Sequence, residues 1–471
     1  MIGRNEETKD LMRAFESEQS EFVAVYGRRR VGKTFLVNDV FNGRFAFYAA
    51  GLESVPKDQQ LESFWEALKR QGLPKCKKPR SWIAAFALLE DLLEAAPSGK
   101  KVVFLDELPW FDTHKSGFLA AFEGFWNGWC SGRKDILLIV CGSATTWIIK
   151  KVLRARGGLH NRVTRQIPLG PFTLAECEEY AAYRKLGFDR RQILECYMAF
   201  GGIAYYWSLL RNGLSAVQNI DRLFFGHSDE LRTEYRKVFA SLFKNASQHL
   251  EIVRLLGRKK IGLSREEIRA GLKEPSGGDV SECLEELEQC GFVRRYSPLG
   301  RIKKGAVFQL VDNYILFYFE FLEKRQGNDE QFWSHHGQSP AIHAWRGRAF
   351  ERVCFWHVPQ IKRALGISGI AADVYSWRGV SSTDGRPVQI DMLIDRADET
   401  INVCEMKYAP AAYAFTESEA AGLRRRAEAL AEACGRRKAV WPVLVSPHGL
   451  SRNKYSDVVQ GVVTSDDLFA K

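Results

Sequence analysis

The segment from Gly27 to Thr34 has the residue types and the spacing needed to hold a chain of phosphates. It fits the pattern G-x-x-x-x-G-K-[ST], in which the glycines let backbone N–H groups turn toward the phosphates. Lys33 can reach the outer phosphates, and the Thr34 hydroxyl can bind the accompanying Mg²⁺. The alternative is a chance glycine-rich turn. The candidate contacts with a nucleotide such as ATP are Gly27, Arg28, Arg29, Arg30, Val31, Gly32, Lys33, Thr34 and Phe35.

Two carboxylates end an apolar run farther along the chain. Val102–Leu105 is typical of a buried strand, and Asp106 and Glu107 follow it directly. We expect Asp106 to hold the water shell of Mg²⁺, and Glu107 to orient and deprotonate the attacking water. A third run, Ile136–Cys141, leads to Ser143. This serine either touches the γ-phosphate or the attacking water, or belongs to a simple turn.

A basic stretch follows, because no acidic residue occurs from Ala144 to Ala175. One interpretation is a solvated basic face. The other is that an arginine, best Arg162, completes a nucleotide site in its own chain or in a neighbouring subunit, in which case the protein is a homo-oligomer. The basic residues of the stretch are Lys150, Lys151, Arg154, Arg156, Arg162 and Arg165.

A second group of charged residues lies near the C-terminus. Glu405 and Lys407 alternate along one predicted strand and therefore share a face, and a hairpin can bring Asp391 of the preceding strand beside them. Glu351 lies on the helix predicted before these strands. Carboxylates are ligands for Mg²⁺ or Mn²⁺, and either ion can activate water for attack on a phosphodiester. Lys407 can offset the negative charge of the transition state. The alternative is a salt-bridged strand pair on a solvent face.

The elements that must position the first group are short apolar runs separated by helical patterns. Because each run is continuous rather than alternating, it is typical of a strand buried on both faces. The sequence therefore predicts an α/β fold with a parallel sheet. The runs are Phe22–Tyr26, Phe45–Ala49, Val102–Leu105 and Ile136–Cys141.

Residues 246–320 have the layout of a helix-turn-helix with a wing. The predicted hairpin is basic from Arg294 to Lys304, whereas the second short helix exposes glutamates. Contact with DNA phosphates through the wing is therefore favoured over reading of bases, since phosphates need only cations. A packing module for domain or subunit contacts is the alternative.

The chain as a whole is basic, with 68 Lys and Arg against 57 Asp and Glu and a net charge of +11. This balance is compatible with nucleic acid or another polyanion. No stretch reaches the roughly 18 uncharged apolar residues of a membrane span, and the charged N-terminus is unlike a signal peptide. The 10 cysteines include no Cys-x-x-Cys pair, which favours free thiols. We expect a cytoplasmic protein without a membrane partner.

The N-terminal half resembles the archaeal-type ATPase family of the AAA+ superfamily, near the origin-recognition and signal-transducing NTPases. The resemblance covers roughly residues 1–240 and implies an α/β core, a helical lid and a following winged helix. It also implies that Gly3–Glu6 lies near the adenine. One departure is Ala204, which stands where related lids carry a nucleotide-sensing proline. The resemblance is carried by Ile2–Glu7, Tyr26–Thr34, Leu105–Glu107, Gly142–Ser143 and Ile167–Phe172.

The C-terminal part resembles the PD-(D/E)xK nuclease superfamily. Asp391, thirteen intervening residues and then Glu405-x-Lys407 match its signature, and Glu351 matches its frequent extra ligand. The expected domains are the P-loop core at 1–170, the helical lid at 171–245, the winged helix at 246–320, a linker at 321–340 and an α/β restriction-endonuclease-like domain at 341–471.

Two functions follow as expectations. The first is an ATP-hydrolysing AAA+ protein coupled to a metal-dependent nuclease that acts on DNA. The second is a nucleotide-gated regulatory switch, or a DNA- or partner-binding ATPase, in which the C-terminal carboxylates are structural.

Overall fold

The computed structural model describes residues 2–154, 157–227, 230–243, 246–259, 262–273, 277–296, 306–323 and 327–471. The chain folds into two units, Met1–Gly170 with Ser241–Lys244, and Pro171–Ala240 with Asn245–Lys471. None of the described helices combines the length and the apolar character that crossing a membrane requires.

A parallel five-stranded sheet in the order β2-β3-β4-β1-β5 is the framework of the first unit. Every residue of β3 and β4 is buried, as expected for central strands with both faces covered. The predicted α/β fold with a parallel sheet is thus confirmed. The edge strand β5 escaped prediction because it is short and largely exposed. The strands are β1 Glu21–Tyr26, β2 Phe47–Ala50, β3 Lys101–Asp106, β4 Ile136–Gly142 and β5 Arg165–Pro168.

Helices pack on both faces of this sheet, one side through a cluster of buried aromatic rings. Phe64 on α3 meets Trp82 on α4 edge-on with 5.5 Å between ring centroids, and Phe118 on α6 lies 5.0 Å from Trp82. The helices are α1 Asn5–Glu16, α2 Lys33–Phe41, α3 Lys57–Arg70, α4 Trp82–Ala95, α5 Leu108–Phe111, α6 Phe118–Gly124 and α7 Thr145–Ile148, with π-helical turns at Phe125–Cys130 and Ile149–Leu153.

The register of the parallel strands brings three chain segments to one edge of the sheet. Tyr26 at the end of β1 pairs with Gly142 at the end of β4, and Leu105 of β3 pairs with Val140 of β4. The loops that follow these strands therefore start side by side, at the carboxyl edge where ligands bind in open α/β sheets.

The second unit begins with helices and a small antiparallel sheet in the order β6-β8-β7. Its first helix starts with a capping box, in which Thr173 and Glu176 satisfy each other's backbone N–H groups. The helices are α8 Leu174–Tyr183, α9 Arg190–Phe200, α10 Ala204–Ser208, α11 Ala216–Ile220, α12 Glu234–Leu242, α13 Ala246–Gly257, α14 Arg265–Gly271, α15 Gly277–Gln289 and α16 Asn313–Phe321, with a π-helical turn at Asp221–Phe225; the strands are β6 Leu263–Ser264, β7 Val293–Tyr296 and β8 Val307–Leu310. The predicted tip of the basic hairpin, with Lys303 and Lys304, lies outside the described residues.

A second five-stranded sheet, in the order β13-β12-β11-β10-β9, closes the chain. Strands β9 to β11 run antiparallel, whereas β11, β12 and β13 are parallel. The strands are β9 Ala372–Val380, β10 Pro387–Arg396, β11 Thr400–Met406, β12 Ala439–Val445 and β13 Gly461–Val463; the helices are α17 Phe332–His336, α18 Pro340–Trp356, α19 Val358–Ala364, α20 Glu417–Ala433 and α21 Ser465–Leu468, with a 3₁₀ turn at Ser456–Val458.

Part of the stretch expected as a polar linker is packed into this unit. Trp333 on α17 is fully buried, and its indole N–H donates to Glu195 on α9 at 3.1 Å. Glu195 also accepts from the guanidinium of Arg346 on α18 at 2.6 Å. Trp333 anchors this otherwise polar stretch. The indole can be buried because its one N–H group finds an acceptor in Glu195.

His357, just after α18, is fully buried and joins two helices. Its Nε2 accepts the backbone N–H of Leu174 at 2.9 Å, so its Nδ1 carries the proton and donates to the Val353 carbonyl at 2.7 Å. Burial lowers the pKa of His357 from 6.5 to about 4, because a charged ring would lose its hydration.

Stability of the second unit should therefore fall as pH drops from 6.5 toward 4. In this window the unfolded chain binds a proton on His357 that the folded chain excludes, so acid favours unfolding. The loss from this group amounts to about 3 kcal/mol, at 1.36 kcal/mol per pKa unit. His357→Gln keeps a donor and an acceptor without titrating. Urea unfolding should show a smaller pH slope for this variant, and an unchanged slope contradicts the assignment.

Candidate active sites

The candidate phosphate loop, Gly27–Thr34, joins the end of β1 to the start of α2, and its backbone requires glycine at two positions. Gly27 and Gly32 have φ values of 149° and 96°, which side-chain-bearing residues rarely adopt. A Cβ atom on Gly27 would also lie 2.1 Å from the carbonyl oxygen of Leu169. The loop thus passes directly against the chain that leaves β5, and alanine cannot replace Gly27 without a backbone shift.

Lys33 lies buried in the centre of this loop. Its ammonium donates to the carbonyl oxygens of Gly27 and Arg28 at 2.9 and 3.0 Å, so the charge sits where the loop encloses it. Among the other predicted contacts, Arg28 and Val31 are buried, Arg29 lies 3.9 Å from Glu53, Arg30 has a positive φ of 73°, and Phe35 is 64% exposed.

Thr34 and Asp106 meet at the carboxyl edge of the sheet. The Thr34 hydroxyl donates to the Asp106 carboxylate at 2.9 Å, and the Cys141 thiol contacts the other carboxylate oxygen. Burial raises the pKa of Asp106, although the hydrogen bonds from Cys141 and Thr34 oppose that shift. A hydroxyl beside a carboxylate is an oxygen-only donor set, which fits the preference of Mg²⁺.

Glu107 is held by Ser143 through two hydrogen bonds. Both the backbone N–H and the hydroxyl of Ser143 donate to the same carboxylate oxygen, each at 2.9 Å. The chain around Glu107 packs closely against its neighbours. A Cβ on Gly142 would lie 2.6 Å from Pro109, and one on Gly51 would lie 2.5 Å from the Glu107 carbonyl. The structure brings Ser143 to Glu107, a partner that the sequence interpretation did not consider.

The N-terminal motif lies at this same edge. The Arg4 guanidinium is buried and donates to the Gly170 carbonyl at 2.6 Å, just after β5. The backbone N–H of Leu169 in turn donates to Tyr26, the residue before the phosphate loop, at 2.7 Å. The segments that carry the family resemblance are thus joined by hydrogen bonds around the loop.

Arg162 is exposed and precedes β5, so it lies toward the amino-terminal ends of the parallel strands. Two residues later, Thr164 accepts the backbone N–H of Phe22 at 3.0 Å, near the start of β1, whereas the phosphate loop follows the end of β1. The structure therefore does not bring Arg162 to the phosphate loop of its own chain. Arg154 is closer to the loop. Burial raises the pKa of Tyr26, the residue before the loop, and the positive charge of Arg154 partly offsets that rise. Arg156 is outside the described residues.

The C-terminal carboxylates come from adjacent strands. Met392 pairs with Cys404, so continuing this antiparallel register one step sets Asp391 opposite Glu405. Side chains of directly opposite residues share a face of the sheet. Asp391 also lies where the pairing of β10 with β9 shifts between Ile390 and Leu393, an irregularity of the kind that re-aims side chains near active sites.

Glu405 is surrounded by cations. Its carboxylate lies 3.1 Å from the Lys407 ammonium and 2.7 Å from the guanidinium of Arg426 on α20. Asp391 accepts from the side-chain amide of Gln389 at 2.5 Å. The sequence indicated Lys407 but not Arg426, because nothing in the run Arg424–Arg426 tells which member turns toward the sheet.

Glu351 faces the same group from α18. Burial raises the pKa of Glu351 to about 7, and the charges of Asp391 and Glu405 add to this shift while Arg352 opposes it. Within the described part of the chain, no three His, Cys, Asp or Glu side chains come close enough together to hold a metal ion. Asp391 and Glu405 offer the oxygen donors that Mg²⁺ or Mn²⁺ takes, and the two cations on Glu405 compete for one of them.

Comparison with known protein families finds no match for this chain. An uncharacterised protein of Methanocaldococcus jannaschii is 24% identical over 336 residues, which span 68% of each chain. A Walker-type ATPase of Pyrococcus abyssi is similar in structure, with 16% identity, 68% of this chain and 96% of that chain covered, and a TM-score of 0.49. The ORC2 protein of Aeropyrum pernix is 13% identical, covering 76% of this chain and 96% of that chain, with a TM-score of 0.43.

Proposed function

We propose that the chain is a magnesium-dependent P-loop ATPase of the AAA+ type. The observation that supports this most strongly is the meeting of Lys33, Thr34, Asp106, Glu107 and Ser143 at one edge of a parallel sheet, with Thr34 and Asp106 2.9 Å apart. A glycine-rich turn that arose by chance would not be expected to lie beside a strand that ends in two carboxylates. The second acid is also held by a serine from a third strand.

Each residue of this site has a distinct task in hydrolysis. Lys33 and the N-terminus of α2 bind the phosphates, and Thr34 and Asp106 would hold Mg²⁺, which offsets the charge of the phosphates when bound. Glu107 accepts the proton of the attacking water, and Ser143 fixes the orientation of the Glu107 carboxylate. Binding and proton transfer therefore depend on different side chains and can be tested separately.

Lys33→Ala should abolish ATP binding, because it removes the one ammonium enclosed by the phosphate loop. Titration with a fluorescent ATP analogue measures this directly. Lys9→Ala is a matched control, since Lys9 is an exposed lysine of α1 that pairs with Glu6 at 2.7 Å. ATP affinity of Lys33→Ala equal to that of Lys9→Ala would rule out the loop as the phosphate site.

We also propose that the active form is a homo-oligomer in which Arg162 reaches the nucleotide of a neighbouring subunit. Arg162 is exposed, and it precedes β5 close to Thr164, which bonds to the start of β1 and not to the loop that follows the end of β1; both features support an action in trans. The ATPase rate per chain should then rise with protein concentration, and Arg162→Ala should flatten that rise. Light scattering gives the oligomeric state at each protein concentration. An ATPase rate per chain that stays constant from monomer to oligomer would argue against the proposal.

Residues 171–245 and 246–320 are proposed as a helical lid and a winged helix that contacts DNA. Support comes from the net charge of +11 and from Arg295, a partly exposed arginine of β7. On α15, Glu282 and Glu285 are exposed and Glu286 pairs with His249 at 2.8 Å, so that helix is poorly suited to phosphates. DNA affinity should therefore depend on the basic hairpin, and not on base contacts from this helix.

A metal-dependent nuclease is the second candidate function. The observation that favours it is the register that sets Asp391 opposite Glu405, with Lys407 directly after β11 and with Glu351 within the influence of their charges. Asp391 and Glu405 would hold Mg²⁺ or Mn²⁺, which activates water for phosphodiester cleavage when bound. Incubation of the purified protein with single- and double-stranded DNA and with RNA, in Mn²⁺ and ATP, tests this. The competing proposal is a nucleotide-gated switch, in which Lys407 and Arg426 neutralise Glu405 permanently.

A further inference from the structure

A cavity of about 380 Å³ lies within the second unit, and none of the C-terminal carboxylates lines it. Its walls come from α9, α13 with the two residues that follow it, α16 and α18. On α18 the lining residues are Trp345, Arg348, Ala349 and Arg352, whose spacing of three and four places them on one helix face. The volume lies within the range of small-molecule sites.

The cavity is strongly cationic. Two of its basic residues have carboxylate partners within the lining, since Arg254 lies 2.8 Å from Glu323 and Arg348 lies 2.8 Å from Glu320. Arg258 and Lys259 are exposed at the cavity and add charge that these carboxylates do not offset. Arg352 is 5% exposed and also lies 3.9 Å from Glu351. The cations of the lining therefore exceed its carboxylates, which favours an anionic ligand.

A buried amide also lines this space. Asn313 is 5% exposed, and its side-chain N–H donates to the Tyr197 carbonyl at 2.7 Å. This hydrogen bond joins α16 to α9, so it fixes two walls of the cavity relative to each other.

The remaining wall is apolar and aromatic. Trp345 and Phe319 line it together with Leu256, Leu310 and Leu316. Gly257 lets the Phe319 ring approach, because a Cβ there would lie 2.6 Å from a ring carbon. A ligand that satisfies both the cationic and the aromatic walls carries an anionic group and a flat apolar part.

We propose that this cavity binds one phosphorylated nucleoside unit. Its phosphate lies against Arg258, Lys259 and Arg352, and its base lies against the aromatic wall. The unit is supplied either by a free mononucleotide or by the phosphorylated end of a nucleic-acid strand. The proposal is independent of ATP hydrolysis, because no residue of the phosphate loop takes part.

The test uses the full chain carrying Lys33→Ala, which silences the phosphate loop. Calorimetric titration with adenosine 5′-monophosphate, and separately with a 5′-phosphorylated hexadeoxynucleotide, should show saturable binding by at least one probe. Arg258→Glu with Lys259→Glu should weaken that binding at least about tenfold, because charge-assisted contacts to phosphate are lost and replaced by repulsion. Arg424→Glu with Arg437→Glu makes the same change in net charge on exposed residues elsewhere and should leave it unchanged.

Ala349→Leu separates a cavity from a merely basic surface, because it fills the space without altering charge. It should also abolish binding, with thermal unfolding as the check that the variant is folded. Binding of the monophosphate identifies a free nucleotide as sufficient, and binding of the hexanucleotide alone identifies a strand end. The proposal is overturned if neither probe binds. It is equally overturned if the charge-reversed control loses as much affinity as Arg258→Glu with Lys259→Glu, or if folded Ala349→Leu binds like the parent chain.

Discussion

Glu107→Gln should bind ATP as tightly as the natural chain and hydrolyse it at least about a hundredfold more slowly, the usual contribution of a general base. The glutamine keeps the shape of the side chain and can still accept the two hydrogen bonds from Ser143, each 2.9 Å long in the natural protein. Only the capacity to take a proton is lost. Steady-state phosphate release gives kcat, and nucleotide titration gives the affinity.

Ser143→Ala is the companion variant that distinguishes proton transfer from orientation. It removes the hydroxyl but keeps the backbone N–H, so one of the two hydrogen bonds to Glu107 remains. Loss of one hydrogen bond to a charged group corresponds to about 1.5–3 kcal/mol, so kcat should fall about ten- to a hundredfold while KM changes little. If Glu107→Gln turns over ATP at the natural rate, Glu107 is not the base, and its orientation by Ser143 then has no role in catalysis.

The second large effect concerns the C-terminal carboxylates. Asp391→Ala and Glu405→Ala should each abolish nucleic-acid cleavage in Mn²⁺ and leave ATP hydrolysis intact. Continuing the register of β10 and β11 sets the two carboxylates opposite each other, so one metal ion can use both, and either loss removes one of these two strand-borne donors. A fluorescent oligonucleotide assay measures cleavage, and calorimetry with Mn²⁺ measures metal binding in the same samples.

The order among the four variants is more informative than any one of them. Lys407→Ala should lose cleavage but keep Mn²⁺, because an ammonium is not a metal ligand, and Glu351→Ala should be milder, since water can replace it. Asp457→Ala is a matched control, as Asp457 is an exposed carboxylate paired with Arg424 at 2.9 Å. If the natural protein cleaves nothing with Mg²⁺ or Mn²⁺ and ATP, the nuclease proposal fails and the regulatory switch becomes the leading function.

Local patterns allowed much of the first unit to be predicted. Gly27 and Gly32 mark the turn because only glycine adopts their backbone angles cheaply, and the helix must start at the residue that follows. Four of the five strands were visible as continuous apolar runs. Three of them, β1, β3 and β4, are central and have both faces covered, and the edge strand β2 carries such a run as well. The fifth, β5, is an edge strand without such a run, and only its position beside β1 identifies it.

Local sequence patterns could not predict contacts between residues that are far apart in the chain. Ser143 could be named as a candidate from its place after β4, but its bond to Glu107 depends on how β3 and β4 are aligned. Arg426 reaches Glu405 only because α20 packs on the sheet with that face inward. Likewise, the polar stretch before α18 gave no sign that Trp333 would be buried against Glu195.

The sequence by itself determined the glycine turn of Gly27–Thr34, the acidic strand end, the parallel sheet and the spacing that puts Glu405 and Lys407 side by side. All of these are set by neighbouring residues, whose relative positions the backbone geometry of a strand or a turn dictates. Only the tertiary structure decided that Arg162 lies away from its own loop, that two cations pair with Glu405, and that Asn313, Arg352 and Phe319 line one cavity. These depend on strand register and on helix packing, which bring together residues that no local spacing relates.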